Sequence, residues 1–339
     1  VRSNSCTPLY LLIVQRILII RFSSIGDIVL TSPVIRVLRS TFPEADIRFL
    51  TKNAYRELVE PNPNLNGVFL LGDSLKEVIE EVRTFKPDVI IDLHHNLRTA
   101  IIKAAVGAKS FSFPKLNVQK WMHVNFKADT LPNIHVVQRY LKTVEPLGAK
   151  DDGKGIDFFI PEHVAMPNLP EGFGNGYVAV VVGAKFATKQ IPEAKLVEFI
   201  AKTPLPIVLL GGPTDAAQGA RLATRPDVMN ACGKMSLHQS ARLLQHAKVV
   251  LTPDTGLMHI AAAFGATIIS VWGSTVPKFG MTPYVPQAPE RSSIVEQNDL
   301  NCRPCSKIGF DACPKQHFKC MNLLDIDQLS ILTTKTFSS

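Results

Sequence analysis

The sequence predicts an α/β protein made of two doubly wound domains that face each other across a cleft. Two observations carry this expectation. Short runs rich in Ile and Val recur along the chain, apolar at every position rather than at alternate ones, as in parallel strands covered on both faces. Between them lie segments with apolar residues at three- and four-residue spacing, which gives βαβα order.

In chain order the first half offers RILIIRF (16–22), DIRFLT (46–51), GVFLL (67–71) and DVIIDLH (88–94) as strands, with SLKEVIEEVRTF as a helix before the last of them. The second half offers YVAVVVG (177–183), PIVLLGG (206–212), KVVLTP (248–253) and TIISVWG (267–273), separated by helical segments such as EAKLVEFIAK and SLHQSARLLQHA. The rhythm pauses at PEHVAMPNLPEGFGNG, whose prolines and glycines mark a linker. The expected organisation is therefore a first Rossmann-like domain over 14–160, a linker over 161–175, a second Rossmann-like domain over 176–325 and a tail or helix over 326–339. In open α/β sheets ligands bind beyond the carboxyl ends of the strands, so the loops after the strands are where chemistry is expected.

The 339 residues carry a formal net charge of +8. From Arg98 to Lys150 there are nine Lys or Arg and two acids, so much of the excess sits in one stretch. Such a surface suits an anionic partner, or is a solvated face with none. No zinc-finger spacing, aromatic RNA-binding motif or basic zipper accompanies it, which argues against nucleic acid. The opening LYLLIVQRILIIRF is broken by Gln15 and Arg16 and its pieces are too short to span a bilayer. It also lacks a signal-peptide cleavage site, so the expected location is cytoplasmic. Residues 1 to about 13 read as an extension of unassigned role.

Three loops concentrate polar residues at strand ends. In RFSSIGDIVLTSP (21–33), Gly26 allows close backbone approach. Asp27 there is either a helix cap or a general base for a substrate hydroxyl. The loop is neither GxGxxG nor a Walker motif, which removes dinucleotide and P-loop readings. In GAKFATKQIP (183–192), Lys185, Thr188 and Lys189 occupy a strand-to-helix loop, where cations and N–H groups can face a diphosphate or simply be solvated. In PDTGLMHIAAAFG (253–265), Asp254, Thr255 and Gly256 make the turn into a helix, and His259 falls one turn later. A capping Asp and a satisfied core histidine explain these residues singly; an anion held at the helix N-terminus explains why they cluster.

The order R-x-S-x-I-G-D, then a Lys-x-x-Pro loop, then P-D-T-G-x-x-H-x-A-A-A resembles the ADP-heptose:lipopolysaccharide heptosyltransferases, glycosyltransferase family nine, over roughly Arg16 to Leu324. The resemblance implies a GT-B architecture with an amino-terminal acceptor domain and a carboxyl-terminal nucleotide-sugar domain. It implies transfer of heptose from ADP-heptose to a lipopolysaccharide inner-core acceptor, with inversion at the anomeric carbon and Asp27 as general base. Lys189 then matches the phosphate-binding lysine, and Asp254, Thr255, Gly256 and His259 match the donor motif, with Thr188 beside them. Asp215, in GGPTD, falls where the family has an acid that contacts the nucleoside; here it is Asp rather than Glu, and the lysine loop reads KQIP rather than K-x-W-P.

No carboxylates are spaced for Mg²⁺ around these motifs, so lysine and helix amides are expected to stabilise the leaving diphosphate without metal or other cofactor. Gly26, Arg98 and Lys103 are the acceptor-side candidates. The partners expected are a nucleotide sugar, an anionic glycolipid and, transiently, the inner leaflet of the cytoplasmic membrane. The competing readings are a GT-B transferase for another nucleotide sugar or glycan, and a non-catalytic module that binds nucleotide sugar or glycolipid. Cys302, Cys305, Cys313 and Cys320, spaced C-x2-C-x7-C-x6-C, are either a four-thiolate metal knuckle or reduced thiols packing a loop. Cys6 and Cys232 read as isolated thiols.

Overall fold

A computed structural model describes residues 14–338. The first residues of the apolar opening, the extension that holds them and Cys6 lie outside the described residues. The chain divides into two compact units, one comprising residues up to Lys115 with Val136–Phe159, the other Leu116–His135 with Ile160 onward. The residues over 116–135 therefore group with the second unit, whereas the sequence placed them in the first domain.

The first unit runs β1 (Arg16–Ile20), α1 (Ile25–Val29), α2 (Ser32–Thr41), β2 (Asp46–Lys52), β3 (Gly67–Leu71), α3 (Leu75–Phe85), β4 (Val89–Asp92), α4 (Leu97–Val106) and β5 (Lys109–Ser112). After α5 (Asn117–Phe126), which belongs to the other unit, α6 (Val136–Leu141) returns to it. Its sheet is parallel throughout, in the order β3-β2-β1-β4-β5. Strand β1 is central, and Ile17 to Ile20 are wholly buried because helices cover both faces. Local signals set the helix ends: Ser74 accepts from Glu77 N–H at 3.3 Å to start α3, and Asn96 with Thr99 forms a capping box for α4. The chain moves outward from β1 through β2 to β3, then crosses to β4 on the other side. The switch point is thus between β1 and β4.

The second unit follows with β6 (Val178–Val181), α7 (Glu193–Lys202), β7 (Ile207–Leu210), α8 (Ala216–Leu222), β8 (Val228–Asn230), α9 (Leu237–His246), β9 (Val249–Pro253), α10 (Gly256–Ala263), β10 (Ile268–Trp272), β11 (Ser292–Glu296), α11 (Lys319–Asn322) and α12 (Ile326–Ser338). Its sheet is also parallel, ordered β11-β10-β9-β6-β7-β8, with its switch point between β6 and β9. Val178, Val180, Leu209, Leu251 and Ile269 from the strands pack with Phe199, Met321 and Leu329 from the helices in one core cluster. The last helix, α12, packs on α7, where Ser330 and Thr203 hydroxyls meet at 2.9 Å. No helix among the described residues is long and apolar enough to cross a membrane.

Candidate active site

All three polar loops of the sequence emerge at switch points. In the first unit Asp27 lies on α1, directly after β1. Arg21, only 7% exposed, holds that end of the sheet together. Its guanidinium donates to Ser23 O at 2.7 Å and to Leu93 O at 2.6 Å, and pairs with Asp27 Oδ1 at 2.7 Å. The other Asp27 oxygen accepts from the Ser24 hydroxyl at 2.8 Å and the Ser24 N–H at 3.2 Å. Asp27 is therefore the N3 member of a capping box on α1. It is also the ion-pair partner of a buried arginine, and its side chain stays 23% exposed. Burial works against the Arg21 charge, but Tyr140 and Asp27 outweigh it and raise its pKa. Gly26 is buried beneath.

Across the switch point β4 ends in Asp92, which is wholly buried. Lys103 of α4 pairs with Asp92 Oδ2 at 2.8 Å and donates to the Ser112 hydroxyl at 2.7 Å, and Asp92 Oδ1 accepts from the N–H groups of His94 and His95. Lys103, an acceptor-side candidate in the sequence, is thus paired with a buried carboxylate. Burial alone would push the Asp92 pKa up; Lys103 and the His95 N–H hold it below the usual carboxylate range. Stability from this pair is present above the unfolded carboxylate pKa and is lost as the pH falls through the lower folded one. Lys103→Met is expected to cost about 3–5 kcal/mol near neutral pH, by stranding a buried charge. In denaturant titrations its gap to the wild type should narrow toward acid pH, as Asp92 takes up a proton in both proteins. Arg98, in contrast, is exposed on α4. His94 lies against Phe22 with centroids 4.8 Å apart and planes tilted by 53°, and burial, then Arg21 and Lys115, push its pKa down to about 4, so the ring is neutral at physiological pH.

In the second unit the loops after β6 and β9 meet. Lys189 Nζ lies 2.6 Å from Asp254 Oδ2, and the Thr275 hydroxyl donates to the same carboxylate at 2.8 Å. The Lys189 and Asp254 side chains are only 15% and 12% exposed. Thr255 is the N-cap of α10 with extended backbone, and its side chain makes no capping bond. The first turn of α10, beginning at Gly256, offers backbone N–H groups and the positive end of the helix dipole. His259 is buried on the same helix, and Ala261 and Ala262 are buried where α10 packs on β9 and β10.

Asp215 accepts from the Gly212 N–H at 2.8 Å and lies over the ends of β6 and β7. A Cβ on Gly183 would stand 2.0 Å from its Oδ2, and one on Gly211 2.8 Å. These glycines are small because a carboxylate occupies the space. Gly183→Ala is expected to lower stability by about 1–3 kcal/mol in chemical denaturation, by driving Asp215 off the Gly212 amide.

Thr188, a donor-side candidate in the sequence, is held by neighbours within its unit. It is 2% exposed and its hydroxyl donates to Phe310 O at 3.0 Å while accepting from Phe310 N–H at 2.8 Å and Ser274 Oγ at 2.9 Å. The side chain fastens the 302–313 loop to the lysine loop. Ile191, at the tryptophan position of K-x-W-P, is buried in the core, and Gln190 closes the loop by donating to Ala184 O at 2.8 Å.

The four clustered cysteines form no disulfide. Cys320 is drawn into the apolar core of the second unit, and the Cys305 thiol donates to Cys302 O at 3.1 Å. Burial, then the neighbouring thiols, push Cys305 up to about 11, and burial likewise raises Cys320 to about 11. Among the described residues no group of three or more His, Cys, Asp or Glu is arranged to hold a metal ion.

The sequence missed Arg21 as the anchor of Asp27, Thr275 as the anchor of Asp254, and the buried Asp92 and His94. Arg21 stood in the quoted motif and Thr275 just past a strand end; the contacts that give them roles form only on folding.

Two parallel doubly wound sheets, each carrying its charged loop at its switch point, define a glycosyltransferase of the GT-B fold. The chain belongs to glycosyltransferase family 9 (heptosyltransferase), which matches residues 76–311. It is 24% identical over 278 residues to lipopolysaccharide heptosyltransferase 3 of Escherichia coli, covering 74% of this chain and 81% of that one. Among solved structures it resembles a family 9 glycosyltransferase from Veillonella parvula, with TM-score 0.74, 21% identity, and coverage of 95% of this chain and 97% of that one. It also resembles E. coli heptosyltransferase WaaC solved with ADP, with TM-score 0.65, 20% identity and coverage of 95% and 100%.

Proposed function

We propose that this glycosyltransferase moves heptose from ADP-heptose to an inner-core acceptor of lipopolysaccharide, inverting the anomeric carbon without a metal ion. The observation that carries the reading is the Lys189–Asp254 pair, 2.6 Å apart beside the first turn of α10 at a switch point. A fixed ammonium next to open helix amides suits a diphosphate. The resemblance to a heptosyltransferase solved with ADP supports an adenine nucleotide there.

In this mechanism Asp27 accepts the proton of the acceptor hydroxyl as that oxygen bonds to the anomeric carbon. The bond from that carbon to the diphosphate oxygen breaks with its electron pair, and ADP leaves. Charge grows on the leaving oxygen, where Lys189, the Thr255 hydroxyl and the α10 amides stabilise it in the transition state. Asp254, fixed by Thr275, keeps Lys189 in place. Asp215 contacts the nucleoside, and Gly26 and Arg98 contribute to the acceptor side.

Mass spectrometry of a reaction holding ADP-heptose and a deacylated inner-core acceptor tests this. The expected product gains one heptose with release of ADP, and does so equally in excess chelator. A product formed only after magnesium is restored would contradict the lysine-based account.

A further inference from the structure

Helix α5 (Asn117–Phe126) has two unlike sides. Toward the second unit Lys120 lies over the Phe279 ring at 5.8 Å and His123 packs on the same ring at 6.0 Å. Lys127, just past the helix end, donates to Val124 O and Pro304 O, both at 2.8 Å. Away from these contacts Val118 is 67% exposed, Trp121 51% and Phe126 66%, and the Trp121 and Phe126 rings meet edge-on at 5.3 Å. No residue of the helix is buried. An exposed Trp–Phe–Val surface on one short helix calls for a partner.

Charge identifies the partner. Over 116–128 the sequence has two lysines, Lys120 and Lys127, and no acid. Trp and Phe beside lysines, on a helix that cannot span a bilayer, are the composition of an element lying in the headgroup region of an anionic membrane. We infer that α5 is an interfacial helix that sets Val118, Trp121 and Phe126 into the surface of a membrane bearing anionic lipid. The inference rests on the reading that the acceptor is lipid-borne, since such docking would bring the enzyme to its substrate.

The chain carries its own reporter. It has two tryptophans, and Trp272 is 1% exposed, so a change in emission on adding vesicles reports Trp121. The whole protein is mixed with phosphatidylglycerol-rich vesicles, with all-phosphatidylcholine vesicles, and with brominated forms of each. The expected result is a blue shift and bromine quenching on the anionic vesicles, reduced by salt and absent in Trp121→Phe. Val118→Ser with Phe126→Ser should weaken vesicle binding by about tenfold or more, from the apolar area withdrawn from the interface. Transfer to a water-soluble acceptor should be unchanged in that variant. An unchanged spectrum, an equal response to phosphatidylcholine, or a shift that grows with protein concentration in the absence of vesicles would each overturn the inference, the last assigning the patch to a second copy. Vesicle binding is read without donor or acceptor, so its failure leaves the transferase reading standing, and failed transfer from ADP-heptose leaves the vesicle result standing.

Discussion

Asp27→Asn is expected to lower kcat by roughly a thousandfold, within the range lost when a positioned general base is removed, while donor affinity stays at the wild-type level. Asparagine keeps the size of the side chain and can still accept from Ser24, but it cannot take the acceptor proton. Donor affinity is spared because the Lys189 loop belongs to the other unit. The variant also removes the carboxylate that pairs with Arg21, 7% exposed, so some stability is lost and melting must be followed alongside activity. Ser24→Ala separates the two roles of Asp27. It removes a hydroxyl from the cap at a cost of about 1 kcal/mol and leaves the carboxylate in place. If Asp27 were only a cap, Asp27→Asn and Ser24→Ala would have similar, small effects on kcat; the mechanism requires them to differ by orders of magnitude.

The second large effect is expected at Lys189. Lys189→Met should reduce kcat/KM by about 100- to 1,000-fold, the usual loss when one stabiliser of a developing anion is deleted, and should weaken donor binding as well. The ammonium contributes to ground-state binding because the diphosphate is already charged, and to the transition state because the leaving oxygen gains charge. The substitution also leaves the Asp254 carboxylate, 12% exposed, held by Thr275 alone and repelling the donor. Lys189→Met with Asp254→Asn should therefore lose less than the two single losses combined, since the partners form one unit. Lys189→Arg should not restore full activity, because a forked planar cation replaces a compact one in a cramped site. Steady-state kinetics on the four proteins measure both statements.

These effects depend on how far the sequence could be read. Eight apolar runs were legible as strands, and all eight are strands, with seven of them in the covered interior of a sheet and GVFLL at an edge. The three unforeseen strands, KSFS, VMN and SSIVE, are also edges. An edge strand pairs on one side only and needs no continuous apolar run, so it leaves little pattern to detect. The loops at the switch points were legible because Asp27, Lys189 and Asp254 stand at the ends of recognisable strands. What those residues touch was not. Thr188 answers to Phe310, 122 positions away, and Lys103 to a buried Asp92 that looks like part of an ordinary strand. Nor does the cysteine spacing announce that Cys320 packs in the core of the second unit. The grouping of 116–135 with the second unit is set by contacts such as His135 Nε2 with Thr282 O at 2.9 Å, which no local pattern announces.

The central claim is that the site around Lys189 and Asp254 takes an ADP-sugar. Its most direct test is calorimetric titration of the purified protein with ADP-heptose, ADP, a UDP-sugar and a GDP-sugar, repeated on Lys189→Ala. The account predicts that only the two adenine nucleotides bind and that the substitution weakens both. Preference for a uridine or guanosine nucleotide, or adenine-nucleotide binding that ignores the loss of Lys189, would contradict it.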